Sequence, residues 1–180
     1  MRSGARDCDG FGDCYFERPA EKLVLEGYRH WTAGYDTGSV VPWEMAWGLY
    51  SGILGGADAR IALAELSHFI RTLGRCAHCP LRAFPFGARH ICRDECLTLG
   101  LIAANQHGDA RAAELCLAAL ACAPSAQEAG KAATDFAAAL SRFEQKLLPI
   151  PAGVIEDILM RSRMCSGSAS DAPSWRGTVH

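Results

Sequence analysis

Apolar residues return every three or four positions along most of the chain, with polar residues between them, the pattern of helices that bury one face. After Pro19, the stretch PAEKLVLEGYRHWTAGY places Leu23, Tyr28 and Trp31 at helical intervals, with Glu21 early and Arg29 late, and predicts a first helix over 19–33. Pro42 opens a second, PWEMAWGLYSGILG, which carries Trp43, Trp47, Tyr50 and Leu54 and ends at Gly55 and Gly56. Asp58 caps a third, in which Ile61, Leu66, Phe69 and Leu73 form the apolar stripe. A fourth runs over about 88–106 and breaks at Gly108. Asp109 caps a fifth, which stops before Pro124. Ser125 with Glu128 has the form of a capping box for a sixth, running through Phe136, Leu140, Phe143 and Leu147 to the break at 149–151. A short seventh, AGVIEDILMRSRM, follows.

No run of strand length alternates apolar with polar residues, so the expected fold class is all-α: a helical bundle of about six to seven helices. Asp58-Ala59-Arg60-x-Ala62 recurs as Asp109-Ala110-Arg111-x-Ala113, each copy opening the second helix of a pair, so the bundle reads as two αα-hairpins plus C-terminal helices. Residues 1–18 are turn-rich and read as a flexible N-terminal arm, 19–164 as one helical domain, and the Ser/Gly/Pro stretch 165–180 as a disordered tail.

A fold of 180 residues buries roughly 70% of the surface its unfolded chain exposes, so cysteines are not needed as structural staples. The 18 basic and 20 acidic residues nearly cancel, and no block of lysine and arginine appears, which disfavours nucleic acid as a partner. The longest apolar runs fall far short of a membrane span, and the N-terminus lacks the apolar core of a secretory signal. The expected location is therefore cytoplasmic, where nine cysteines read as metal ligands, redox thiols or buried small residues rather than as disulfides.

Four of the nine change the picture. Cys76-x2-Cys79-x12-Cys92-x3-Cys96 lies in a segment, 75–97, that also holds His78 and His90. A Cys-x2-Cys turn converges two sulfurs, and two residues four apart on a helix share a face and supply the opposite edge of a tetrahedron. The spacing is similar to that of a two-Cys two-His zinc finger with cysteine in both histidine places. Ala83 and Arg89 stand where such a finger keeps its core aromatic and leucine, so only the ligand geometry carries over. Pro80, Pro85 and Gly87 let the connection fold back, and Arg75, Arg82, Arg89 and Arg93 are expected to lower the thiol pKa values. Asp94 and Glu95 are candidates for hydrogen bonds around the metal. His78 or His90 can replace one sulfur. The expected cofactor is zinc, with an iron–sulfur cluster as the lesser possibility, since four thiolates alone do not choose between the metals. Incidental core cysteines and a lone redox dithiol are the competing readings; the latter lacks its usual βαβ context.

Other signatures fail. The run from Asp7 to Asp13 resembles a calcium loop, but Phe11 and Arg18 occupy ligand positions. Glu65-x-x-His68 is half of a di-iron signature whose second half is missing. Metalloprotease, phosphate-loop and nucleophile-elbow motifs are absent from the sequence. Trp43, Trp47 and Tyr50 share a helix face and read as core, or as a docking surface if exposed. The expected function is a non-enzymatic, zinc-stabilised binding or regulatory module that acts on another protein. The alternative is a metal or electron carrier, store or cluster protein that recruits Cys8, Cys14, Cys116 and Cys122 as extra ligands.

Overall fold

The computed structural model describes residues 15–75 and 80–167. Within them the chain forms α1 (Pro19–Thr37), α2 (Val41–Leu54), α3 (Gly56–Gly74), α4 (Arg93–His107), α5 (Ala110–Leu120), α6 (Ala126–Arg142) and α7 (Ala152–Gly167), and no strand occurs among the described residues. α4 is the axis of the bundle. Every residue from Leu97 to Ala104 is buried, because α1, α5, α6 and α7 all pack around it. A helix covered on all sides has no use for a polar face, and Leu97-Thr98-Leu99-Gly100-Leu101-Ile102-Ala103-Ala104 has none.

Side-chain size sets how closely the neighbours approach. Gly100 faces α7 and α5 so tightly that a Cβ there would lie 2.7 Å from Ile155 Cδ1 and 3.0 Å from Cys116 Sγ. On the far side, α3 lies against α6, where Phe69 and Phe136 stack with centroids 6.2 Å apart among the buried Ala129, Ala132 and Ala133. The α2–α3 and α4–α5 pairs are the two expected hairpins, and α1 packs on both α2 and α4. Gly38 and Gly108 close α1 and α4 in the left-handed region, at φ 66° and 71°, which a side chain would disfavour.

Several boundaries differ from expectation, each for a local reason. α4 starts at Arg93 rather than at 88, since residues 80–92 are irregular and their backbone groups bond to side chains of α1 and α4. Asp109 caps α5 as expected, accepting from the Ala112 amide at 2.9 Å, whereas α3 begins at Gly56 and Asp58 falls inside its first turn. The repeated Asp-Ala-Arg therefore does equivalent capping work in only one hairpin. The Ser125–Glu128 box does not form: the Ser125 hydroxyl donates to the Cys122 carbonyl in a 3-10 turn, Ala123–Ser125, and Glu128 pairs with Arg75. α6 stops at Arg142 because Glu144 turns to φ 58° and Gln106 captures the chain beyond, donating to the Gln145 carbonyl and accepting from the Leu147 amide. Tyr15 and Phe16, assigned to the arm, pack against the core. Of the expected tail, 168–180 lies outside the described residues.

Candidate functional site

The irregular connection 80–92 wraps across α1 before the chain enters α4. Its end is fixed by Glu95, in the first turn of α4: Glu95 Oε2 accepts from the Cys92 amide at 2.6 Å, and Oε1 accepts from the Phe84 amide at 2.9 Å. Asp94 accepts from the Arg82 amide at 3.1 Å. These acidic side chains hold loop backbone, a role different from the one expected of them around a metal.

Between loop and bundle lies Arg29, on α1 and only 1% exposed. Its Nε donates to Glu95 Oε1 at 2.7 Å; Nη1 donates to Glu26 Oε1 at 2.8 Å and to the Ala88 carbonyl at 2.9 Å; Nη2 donates to the His90 carbonyl at 2.6 Å. Glu26 completes the set by accepting from the Gly87 amide at 3.0 Å. A buried guanidinium is tolerable only when its charge is balanced and its donors are used, and both conditions hold here. Desolvation lowers the Arg29 pKa, but the hydrogen bond and charge of Glu95 outweigh it, so the group stays protonated and ends above its ordinary value. The sequence reading missed this network. Its one local trace is Glu26 and Arg29 three apart on α1; Glu95 is remote in sequence.

Cys92 and Cys96 stand one turn apart where α4 begins, both as free thiols. Cys92 Sγ donates to the Arg82 carbonyl at 3.2 Å, and the Tyr28 hydroxyl donates to the same carbonyl at 3.1 Å. The expected depression of the thiol pKa by arginines is reversed. Burial, chiefly, raises the Cys92 pKa, and burial together with the charges of Cys92 and Glu95 pushes Cys96 up to about 11. The flanking cations are engaged elsewhere: Arg75 with Glu128, Arg93 with Asp94, and Arg89 in an interaction of its own. Burial likewise pushes Tyr15, which senses Cys96, up to about 12.

The other half of the expected ligand set, Cys76, Cys79 and the substitute His78, lies outside the described residues, as do Cys8 and Cys14. His90 is exposed, and its backbone carbonyl is what the network uses. Among the described residues, no group of three or more histidine, cysteine, aspartate and glutamate side chains is arranged to hold a metal ion. Cys116 is a buried packing residue against Gly100. Cys122 departs from expectation by being disulfide-bonded, to a cysteine outside the described residues.

The aromatic face of α2 splits. Tyr50 is fully buried and its hydroxyl donates to the Leu23 carbonyl at 2.8 Å; Trp43 packs over Gly34, between Trp31 and Tyr35; Trp47 is 39% exposed. His68 is exposed on α3, as a helix residue without companions should be. Two hollows flank the connection. One, of about 390 Å³, lies between Tyr35 and Asp36 of α1, Arg71 and Arg75 of α3, and Leu81. The other, of about 420 Å³, lies between α1, Leu49 of α2 and the loop at Gly87 and Ala88. No helix of the described residues is long and apolar enough to cross a membrane. Comparison with family models, with curated proteins and with solved structures finds no match for this chain.

Proposed function

We propose that the chain is a non-enzymatic, zinc-stabilised helical module that binds another protein, with Cys76, Cys79, Cys92 and Cys96 as the ligands and His78 or His90 able to replace one sulfur. The observation that carries the reading is the Cys92–Arg82 contact. The Arg82 carbonyl lies 3.2 Å from Cys92 Sγ, and residue 79 is three peptide units from residue 82, a reach of about 10 Å at full extension. Two free thiols one turn apart at α4 thus lie within tether range of the Cys-x2-Cys turn. Four thiolates leave no open coordination position, so the ion braces the connection instead of activating water. A low-dielectric, uncharged setting raises the pKa of free thiols, and metal binding overcomes this by displacing the protons.

The proposed location is the reducing cytoplasm, where the Cys122 disulfide opens and releases both of its sulfurs. The proposed docking surface is the outside of α2, where Val41, Met45 and Trp47 are exposed on a helix with Glu44 as its one charged residue. The test is thermal melting of the reduced, full-length protein before and after treatment with a strong chelator. Wild type should lose stability on chelation, and Cys92→Ser should start at the chelated value and not respond further. Identical melting of wild type with and without chelator overturns the reading. Visible absorbance in the purified protein would transfer the site to an iron–sulfur cluster.

A further inference from the structure

The hollow of about 420 Å³ between α1, α2 and the loop holds a feature that the metal reading does not use. His30 lines it, is only 5% exposed, and leaves Nδ1 buried with no hydrogen-bond partner. An unpaired buried polar atom costs stability, so a native fold that keeps one beside a cavity of ligand size has capacity reserved for something. The imidazole is held flat against Phe86, with centroids 5.0 Å apart. Burial favours its neutral form over the opposing influence of Glu26.

The charges around the hollow are already satisfied. Lys22 pairs with Glu17 at 3.0 Å, Arg29 divides its donors between Glu26, Glu95 and loop carbonyls, and Arg89 has an interaction of its own. The remaining wall is apolar: Phe16, Leu25, Leu49 and Ala88. A charged ligand would bring an ion with no counterpart into a partly desolvated space, which is costly. A purely apolar ligand would leave the histidine nitrogen unpaired.

We infer that this hollow is a binding site for a compact, neutral aromatic or aliphatic molecule bearing one hydroxyl, which bonds to the imidazole of His30. A hydroxyl both donates and accepts, so it serves either tautomer of the neutral ring. A half-turn of the ring about its outer bond exchanges Nδ1 with a carbon of similar size, which brings the enclosed nitrogen to the hollow without moving α1. The loop that roofs the site is the one pinned by Arg29 and Glu26, so occupancy and loop order are coupled.

The experiment uses full-length protein with 15N-labelled histidine, titrated with phenol and, separately, with toluene, which has the same shape and no hydroxyl. Phenol is expected to shift the His30 ring-nitrogen resonances saturably, and toluene to bind about tenfold more weakly, the loss of one hydrogen bond. His30→Phe should abolish the preference, and Leu49→Trp, which fills the hollow and leaves His30 in place, should abolish the shift. An unmoved His30 resonance at saturating phenol, or an equal response to toluene, overturns the assignment.

Discussion

Arg29 and Glu95, 66 positions apart in sequence, meet as an ion pair at 2.7 Å with side-chain exposures of 1% and 0%. Between them they bond to backbone groups of residues 84, 88, 90 and 92, so the irregular connection is stitched to α1 and α4 by two side chains. Removing one partner leaves the other charge buried and several loop groups unpaired. Arg29→Met should therefore destabilise the fold by about 3–5 kcal/mol in urea unfolding, and limited proteolysis should begin within 80–92. Arg29→Lys should recover little, because a single ammonium cannot reproduce the fork. A loss under about 1 kcal/mol would mean that the loop is held by something else.

The helix interface at Gly100 gives a prediction about packing alone. A methyl group at this position meets Ile155 Cδ1 and Cys116 Sγ inside contact distance. Gly100→Ala should cost about 1–3 kcal/mol despite alanine's better helix propensity, as overpacking does. Pairing it with Ile155→Val, which trims the clashing atom, should return part of the loss, read as a non-additive double-mutant cycle.

Cys116 sets an alkaline limit. Burial holds its pKa at about 12, against 9.0 for the ordinary thiol. Below pH 9 the group is protonated in both states and is indifferent to pH. Above pH 9 the unfolded chain ionises there while the folded chain keeps its proton, so stability should fall by about 1.4 kcal/mol per pH unit from this group until its folded pKa is reached. Urea midpoints measured from pH 8 to 11 check this, and Cys116→Ala should flatten the slope whatever it does to the absolute value.

Thiol counting addresses Cys122. With this residue and its partner bonded, at most seven of the nine cysteines should react in denaturant without reductant, and all nine after reduction. Cys122→Ser should raise the unreduced count by one, by freeing the partner.

The number and order of helices were legible because each needs only its own periodicity: Leu66, Phe69 and Leu73 mark the buried face of α3 whatever they meet. The start of α4 was not. Cys92 occupies the N-cap with Glu95 three residues on, and the expected signature of such a box has serine or threonine in place of cysteine. Arg29 looked like a favourable last-turn cation, when it is the deepest charge in the molecule, because nothing local reveals a partner 66 residues away. The same limit hid the hollow at His30, whose wall is assembled from α1, α2 and the loop. Of the expected ligand set, Cys92 and Cys96 do lie together as free thiols; the spacing that suggested four cannot say whether the other two join them.

Elemental analysis of the reduced, natively purified chain tests the central claim most directly. The account predicts about one zinc ion per chain, displaced together with a fall in melting temperature when Cys92 or Cys96 is replaced by serine. A chain free of zinc and iron, with a melting temperature that chelators leave unchanged, would contradict it.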